Sequence, residues 1–233
     1  MAIMQGFTDE ATDAESMDDS ASGCAFWRED GVMQRQSTKR NIMHAGLDAI
    51  VRMSSTRANY WAEVVLDAVL GAVLLTAGWH RSGSLAGVAL AVAVGLFAFS
   101  FIEYFFHRWM FHTSIPLFAQ GHDKHHRQPL GYDSLPFFLP AAILLVLTGL
   151  CLLVLPAGFA LVMLGTATFG YVAYGISHFV IHHVRFKSPL LRRWAASHHV
   201  HHYHPDSNFG VTSPLWDYLL RTRYVRQPRR PAA

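Results

Sequence analysis

The sequence predicts an all-α integral membrane protein of about four transmembrane helices with a helical cap on the cytoplasmic face. Three observations lead there. The 233-residue chain is 52% hydrophobic and only 15% charged, against roughly a quarter charged for an ordinary soluble domain. Its apolar residues gather in long runs between Tyr60 and His183. Its Lys and Arg residues fall almost wholly on one side of those runs.

The elements follow in chain order. Residues 1–40 carry Asp9, Glu10, Asp13, Glu15, Asp18 and Asp19 with little apolar sequence, so an acidic, disordered leader is expected. It lacks the apolar core of a cleavable signal peptide. Residues 41–59 read as an amphipathic, interfacial segment. Spans of roughly 20 residues, the length a bilayer requires, are expected at 60–79, 84–106, 135–156 and 157–178. Glu63 and Asp67 share one face of the first and lie either near the interface or toward the bundle. Pro156 makes the last two spans a tight hairpin. Residues 60–222 thus form one membrane domain, followed by a basic tail at 223–233. Cys24 and Cys151 are the only cysteines, which leaves no disulfide framework and no cysteine-based zinc site.

Four spans place 18 of the 19 Lys and Arg residues on one side, with Arg81 alone on the other. The positive-inside rule makes that side cytoplasmic and gives both termini to it. The membrane is a bacterial inner membrane, or the endoplasmic reticulum in a eukaryote. Beside this much membrane sequence the basic tail reads as lipid-facing, and no nucleic-acid partner is expected.

Thirteen of the 15 histidines lie between His107 and His204, all at cytoplasmic span ends or in cytoplasmic segments. They form four groups: His107 and His112; His122, His125 and His126; His178, His182 and His183; and His198, His199, His201, His202 and His204. The pattern His-x-x-His-His occurs twice, and on a helix it gathers three imidazoles on one side. His178 and His182 are one turn apart. His107 and His112 are about 140° apart on a straight α-helix, so they serve different metals or need a local distortion.

Neutral imidazole is a common ligand for iron, copper and zinc. Ten such nitrogens fill four or five positions on each of two metals, and one metal has no use for all of them. His183, His199 and His204 are offset from the faces of the others. A purification tag would be uninterrupted and terminal, and this clustering is neither. A bis-histidine haem protein or a metal transporter would set its ligands inside the bilayer, yet spans one and three contain no histidine.

With these groups in order, the segment from about Phe101 to Thr222 resembles the fatty acid hydroxylase/sterol desaturase superfamily. Through His178-x-x-x-His182-His183 and the Phe209-Gly-Val-Thr-Ser213 run it is most similar to the fatty acid 2-hydroxylase branch. The resemblance implies His107, His112, His122, His125, His126, His178, His182, His198, His201 and His202 as metal ligands, with His183 and His199 as further candidates. It implies two iron ions, with O2 as co-substrate, and a membrane lipid whose C–H bond is oxidised. Zinc suits the same nitrogens in an isolated protein but has no redox cycle. A sterol C-4 oxidase or desaturase and a carotenoid ring hydroxylase are alternatives on the same core. A non-catalytic membrane protein binding metal or haem is a more distant one.

Many relatives of that branch carry a cytochrome b5-type domain with a His-Pro-Gly-Gly motif, which has no counterpart here. The expected electron donor is therefore external: a cytochrome b5-like protein, a ferredoxin or a reductase. Glu103, one turn before His107, is placed to accept that ring's other N–H, with Asp123 and Asp133 as further candidates for such support. Ser188-Pro189 and Ser213-Pro214 read as starts of short helices.

Overall fold

The computed structural model describes residues 45–112 and 116–226. The acidic leader at 1–40 and residues 227–233 of the basic tail lie outside the described residues. Among the described residues every regular element is helical. Residues 45–54 are helical.

Helix α1 spans Arg57–Arg81, and the Thr56 hydroxyl caps it by accepting from the Asn59 N–H. From Tyr60 onward its buried residues, Glu63, Asp67, Gly71, Leu74 and Gly78, recur every three or four positions and make one stripe. Glu63 and Asp67 thus face the bundle, where the Tyr171 hydroxyl donates to Glu63 at 2.5 Å. Helix α2 spans Leu85–Phe105 behind a Ser84 cap and buries Ala91, Gly95, Phe99 and Glu103. A π-helical segment, Phe106–Phe111, continues it directly. Helix α3 is Pro116–Arg127, α4 is Leu139–Leu152 and α5 is Ala157–His183.

Helix α5 is the central element, with α1 and α2 packed along it. Lipid tails are as apolar as leucine, so helices in a bilayer associate by close packing of small residues rather than by hydrophobic burial. Gly95 of α2 sits so near the Met163 carbonyl that a β-carbon would collide with it, and a β-carbon on Gly165 would lie 2.9 Å from the Leu75 nitrogen. The outer faces keep large apolar residues exposed, including Val65, Val69, Leu90, Phe97 and Val146.

Among the described residues three helices are long and apolar enough to cross a membrane: Arg57–Arg81, Leu85–Phe111 and Ala157–His183. The third expected span is the exception. Its apolar run covers 135–156, but the helix holds only 14 residues, about 21 Å at 1.5 Å per residue against a core of about 30 Å. Prolines set both limits. Pro140 is tolerated in the first turn, whereas Pro136 and Pro156 keep the flanking residues out of the helix. The connection to α5 is the expected tight hairpin.

The segment before α4 is tied to the start of α1. The Asn59 amide donates to Ser134 Oγ (2.9 Å) and to the Leu135 carbonyl (2.6 Å), and accepts from the Phe137 N–H. Helices α6, Pro189–Tyr203, and α7, Leu215–Leu219, complete the chain. Trp216 of α7 packs on Phe97 and Phe101 of α2 and donates to Ser100 Oγ. Trp194 of α6 donates to the Val211 carbonyl, beside a cluster of Ile181, Ala195 and Val211.

Candidate metal centre

Ten histidines converge where α2, α3, α5 and α6 meet, and they divide into two groups of five. His107, His112, His122, His126 and His201 form one; His125, His178, His182, His198 and His202 form the other. Within each group the nitrogens lie within 4.8 Å of one another. These are the ten positions that the spacing singled out. The partition is new: each His-x-x-His-His triplet is split between the groups. His122 and His126 of α3 point to the first and His125 to the second; His201 of α6 points to the first and His198 and His202 to the second.

The π-helical segment explains His107 and His112. Its hydrogen bonds run from i to i+5 instead of i to i+4, which brings residues five apart to the same side. Their rings stack with centroids 5.5 Å apart, and both belong to the first group. The local distortion is therefore the alternative that the fold adopts.

The geometry fits a metal in each position. Nε2 atoms of His122 lie 3.1 Å from those of His112 and 3.0 Å from those of His126, and His112 and His201 are 3.1 Å apart. In the second group the pairs His125–His202, His182–His198 and His198–His202 are each at 3.1 Å. Two nitrogens at right angles around a zinc-like ion, with bonds of about 2.1 Å, are separated by about 3.0 Å. Nε2 of His107 and of His178 are buried without a hydrogen-bond partner among the described residues. A buried orphan nitrogen costs free energy unless something takes its lone pair.

Burial holds these rings in the uncharged form that a metal needs. It lowers His125 to about 2, His201 and His202 to about 3, and His126 to about 4, and nearby imidazoles reinforce each shift. Burial also holds His122 and His198 well below the usual imidazole range. A cavity of 10 Å³, room for about one water, lies beside the second group and is lined by Tyr60, His125, Asp133, His178 and His182.

The outer nitrogens have partners that the sequence did not reveal. His107 Nδ1 donates to the Phe209 carbonyl at 2.5 Å, and His201 Nδ1 donates to the Ser207 carbonyl at 2.8 Å. Donation from Nδ1 leaves Nε2 as the bare nitrogen facing the group. Glu103 therefore does not accept from His107, as its position one turn away had led us to expect. Its carboxylate accepts instead from the Val211 and Thr212 N–H groups, at 2.7 and 2.8 Å, and from the Thr212 hydroxyl.

Asp133 lies 3.7 Å from His178 Nδ1, beyond hydrogen-bond distance. Asp123 is exposed on α3. His183 and His199 are exposed and stand outside both groups; His183 stacks on Phe179 and faces the Leu130 carbonyl. Backbone carbonyls leave no side-chain signature, so Ser207 and Phe209 were invisible as site residues. Asp217 lies in the short helix that follows Ser213-Pro214, and no spacing pattern marks it as a site residue.

Residues 92–222 match the family model described as fatty acid hydroxylase. The chain is 31% identical over 178 residues to dihydroceramide fatty acyl 2-hydroxylase FAH2 of Arabidopsis thaliana, covering 72% of this chain and 74% of that protein. It is 33% identical over 150 residues to fatty acid 2-hydroxylase of Homo sapiens, covering 58% of this chain but only 40% of the human protein's length. Among solved structures it resembles full-length scs7p, of which only the hydroxylase domain is visible. That match has 27% identity and a TM-score of 0.64, over 75% of this chain and 69% of that one.

Proposed function

The chain belongs to the fatty acid hydroxylase family, and from that premise we propose that it is a membrane-bound, O2-dependent dimetal hydroxylase of a fatty acyl chain. The substrate is a free, CoA-linked or sphingolipid acyl group. The observation that carries the reading is the pair of five-histidine groups, with lone pairs turned inward and rings kept neutral by burial. His107, His112, His122, His126 and His201 hold one metal, and His125, His178, His182, His198 and His202 hold the other. Two iron ions held there would supply the O2 reduction that oxidising an unactivated C–H bond requires.

The chain's own residues do the rest. The Phe209 and Ser207 carbonyls keep the Nδ1 protons of His107 and His201 in place and so aim their Nε2 atoms. Tyr60, Asp133 and Phe179 wall the cavity beside the second group and restrict it to small molecules. Hydroxylation of R–H by O2 to R–OH and water consumes two electrons and two protons. The electrons come from an external donor of the cytochrome b5, ferredoxin or reductase type. With the histidines on the basic side of the membrane, that donor docks from the cytoplasm, the side that also holds both termini and the helical cap. The short helix α4 with its flanking apolar residues completes a fourth crossing.

Lipid mass spectrometry of cells with and without the gene tests the reaction. A gene-dependent gain of about 16 mass units on an acyl chain is expected, as one oxygen is inserted. A loss of 2, the mark of desaturation, or no change in any lipid would overturn the hydroxylase reading.

A further inference from the structure

The loop between α6 and α7 is held in an unusual way. Four consecutive backbone N–H groups, those of Phe209, Gly210, Val211 and Thr212, all donate to just two carboxylates. Asp217 of α7 accepts from Phe209 and Gly210 at 2.9 and 2.8 Å, and Glu103 of α2 accepts from Val211 and Thr212. Both carboxylates are buried, Glu103 at 7% exposure and Asp217 at 1%. Each takes a third bond from a hydroxyl, Asp217 from Thr222 and Glu103 from Thr212. The loop leaves no slack, since a β-carbon on Gly210 would collide with the Ser213 carbonyl and lie 3.0 Å from Asp217. Asn208, at a φ of 55°, turns the chain into it and is tied to Ser197 and Tyr224 through its side chain.

The carbonyls on this stretch, Ser207 and Phe209, go to His201 and His107, both of the first group. The second group receives nothing from it: His178 Nδ1 faces Asp133, and the Nδ1 atoms of His125 and His198 are without partners among the described residues. We propose that Glu103 and Asp217 are positioning residues for the first metal position alone, acting through the loop that they clamp. This rests on the dimetal reading above. Burying two carboxylates is costly unless their oxygens are hydrogen-bonded, and six hydrogen bonds meet that need while fixing one carbonyl on each of two rings. The consequence is an inequivalent pair: the two positions should respond to different residues.

The test uses the full chain in detergent, loaded with zinc, with bound zinc measured against a graded series of chelator-buffered free zinc. The native chain is expected to bind two. Support of a metal-ligating histidine is typically worth 10–100-fold in affinity. Glu103→Gln and Asp217→Asn should weaken one zinc by that factor and leave the other at its native affinity. Thr212→Val, a gentler change, should weaken the same zinc, and Thr212→Ser should restore it. A purely packing role for Thr212 would give the opposite order, since valine keeps the methyl group and serine loses it. Equal weakening of both zincs, no weakening of either, or rescue by valine rather than serine would overturn the clamp while leaving the metal positions standing. A native chain that binds no zinc would overturn both, and it would do so before any variant is made.

Discussion

The split of the histidine triplets makes a prediction that adjacent residues on one helix turn should behave differently. In the double variant His122→Ala/His126→Ala both losses fall in the first group, which keeps three nitrogens, from His107, His112 and His201, while the second keeps all five. In His122→Ala/His125→Ala one loss falls in each, so each group keeps four. The two variants remove the same number of rings from the same turn of α3. Four nitrogens complete a tetrahedral zinc site and three do not. The second variant should therefore hold two zinc ions per chain. The first should hold one tightly, with the other weakened by more than the roughly 100-fold that loss of an outer partner costs, or over about 2.7 kcal/mol. Elemental analysis after dialysis against a chelator set about 100-fold below the native release point reads the difference. Circular dichroism confirms that both variants keep their helices. Equal zinc content in the two, or less in His122→Ala/His125→Ala, would refute the partition.

Three further outcomes follow from the same geometry. His125, His126, His201 and His202 have folded values of about 2 to 4 against an ordinary 6.5, so the stability they contribute is complete above pH 6.5 and is lost as the pH falls below it; melting of the metal-free chain should be level from pH 7 to about 8.5 and fall at pH 6 and 5, and a level profile down to pH 5 would contradict the burial argument. Gly95→Ala drives a β-carbon into the Met163 carbonyl and should cost about 1–3 kcal/mol in detergent unfolding, whereas Gly149→Ala, which meets nothing within 4 Å, should be neutral or slightly stabilising. His183→Ala and His199→Ala should leave zinc content at two, because both rings stand outside the groups; a loss of metal in either would bring that residue into the site.

Much of this architecture was legible because membrane and metal both impose simple patterns. The long apolar runs had to be helices, since only closed hydrogen bonding survives in hydrocarbon. Histidines at intervals of three and four had to share a side. The fold departs from those patterns where a rule acts on something other than side-chain type. The run at 135–156 is apolar enough for a span, but its prolines shorten the helix to 14 residues. Glu103 sits at the right interval behind His107, yet it serves backbone amides more than 100 residues away in sequence. No interval rule reaches that far. The partition of the ten rings depends on how α3 and α6 lie across both positions, and that is a property of packing between helices.

The five-residue interval between His107 and His112 joins the membrane bundle to the metal centre. Ala91, Gly95, Phe99, Glu103 and His107 are all buried and fall at every fourth position, forming a single ridge of the i+4 kind that runs about 24 Å along the helix. Its lower members pack on α5 inside the bilayer, and its last member is a ring of the first group. Continued as a plain α-helix, the ridge would next present Phe111. The π-helical register from Phe106 to Phe111 adds one residue to the turn, so the position passes to His112, and the first group gains a second ring from the same strand of chain. The odd interval, which on a regular helix argued against a shared metal, is thus the sequence mark of the bulge that allows one. Gly95, Glu103 and His107 thus lie on one continuous helical ridge that leads from the α5 contact to the first group.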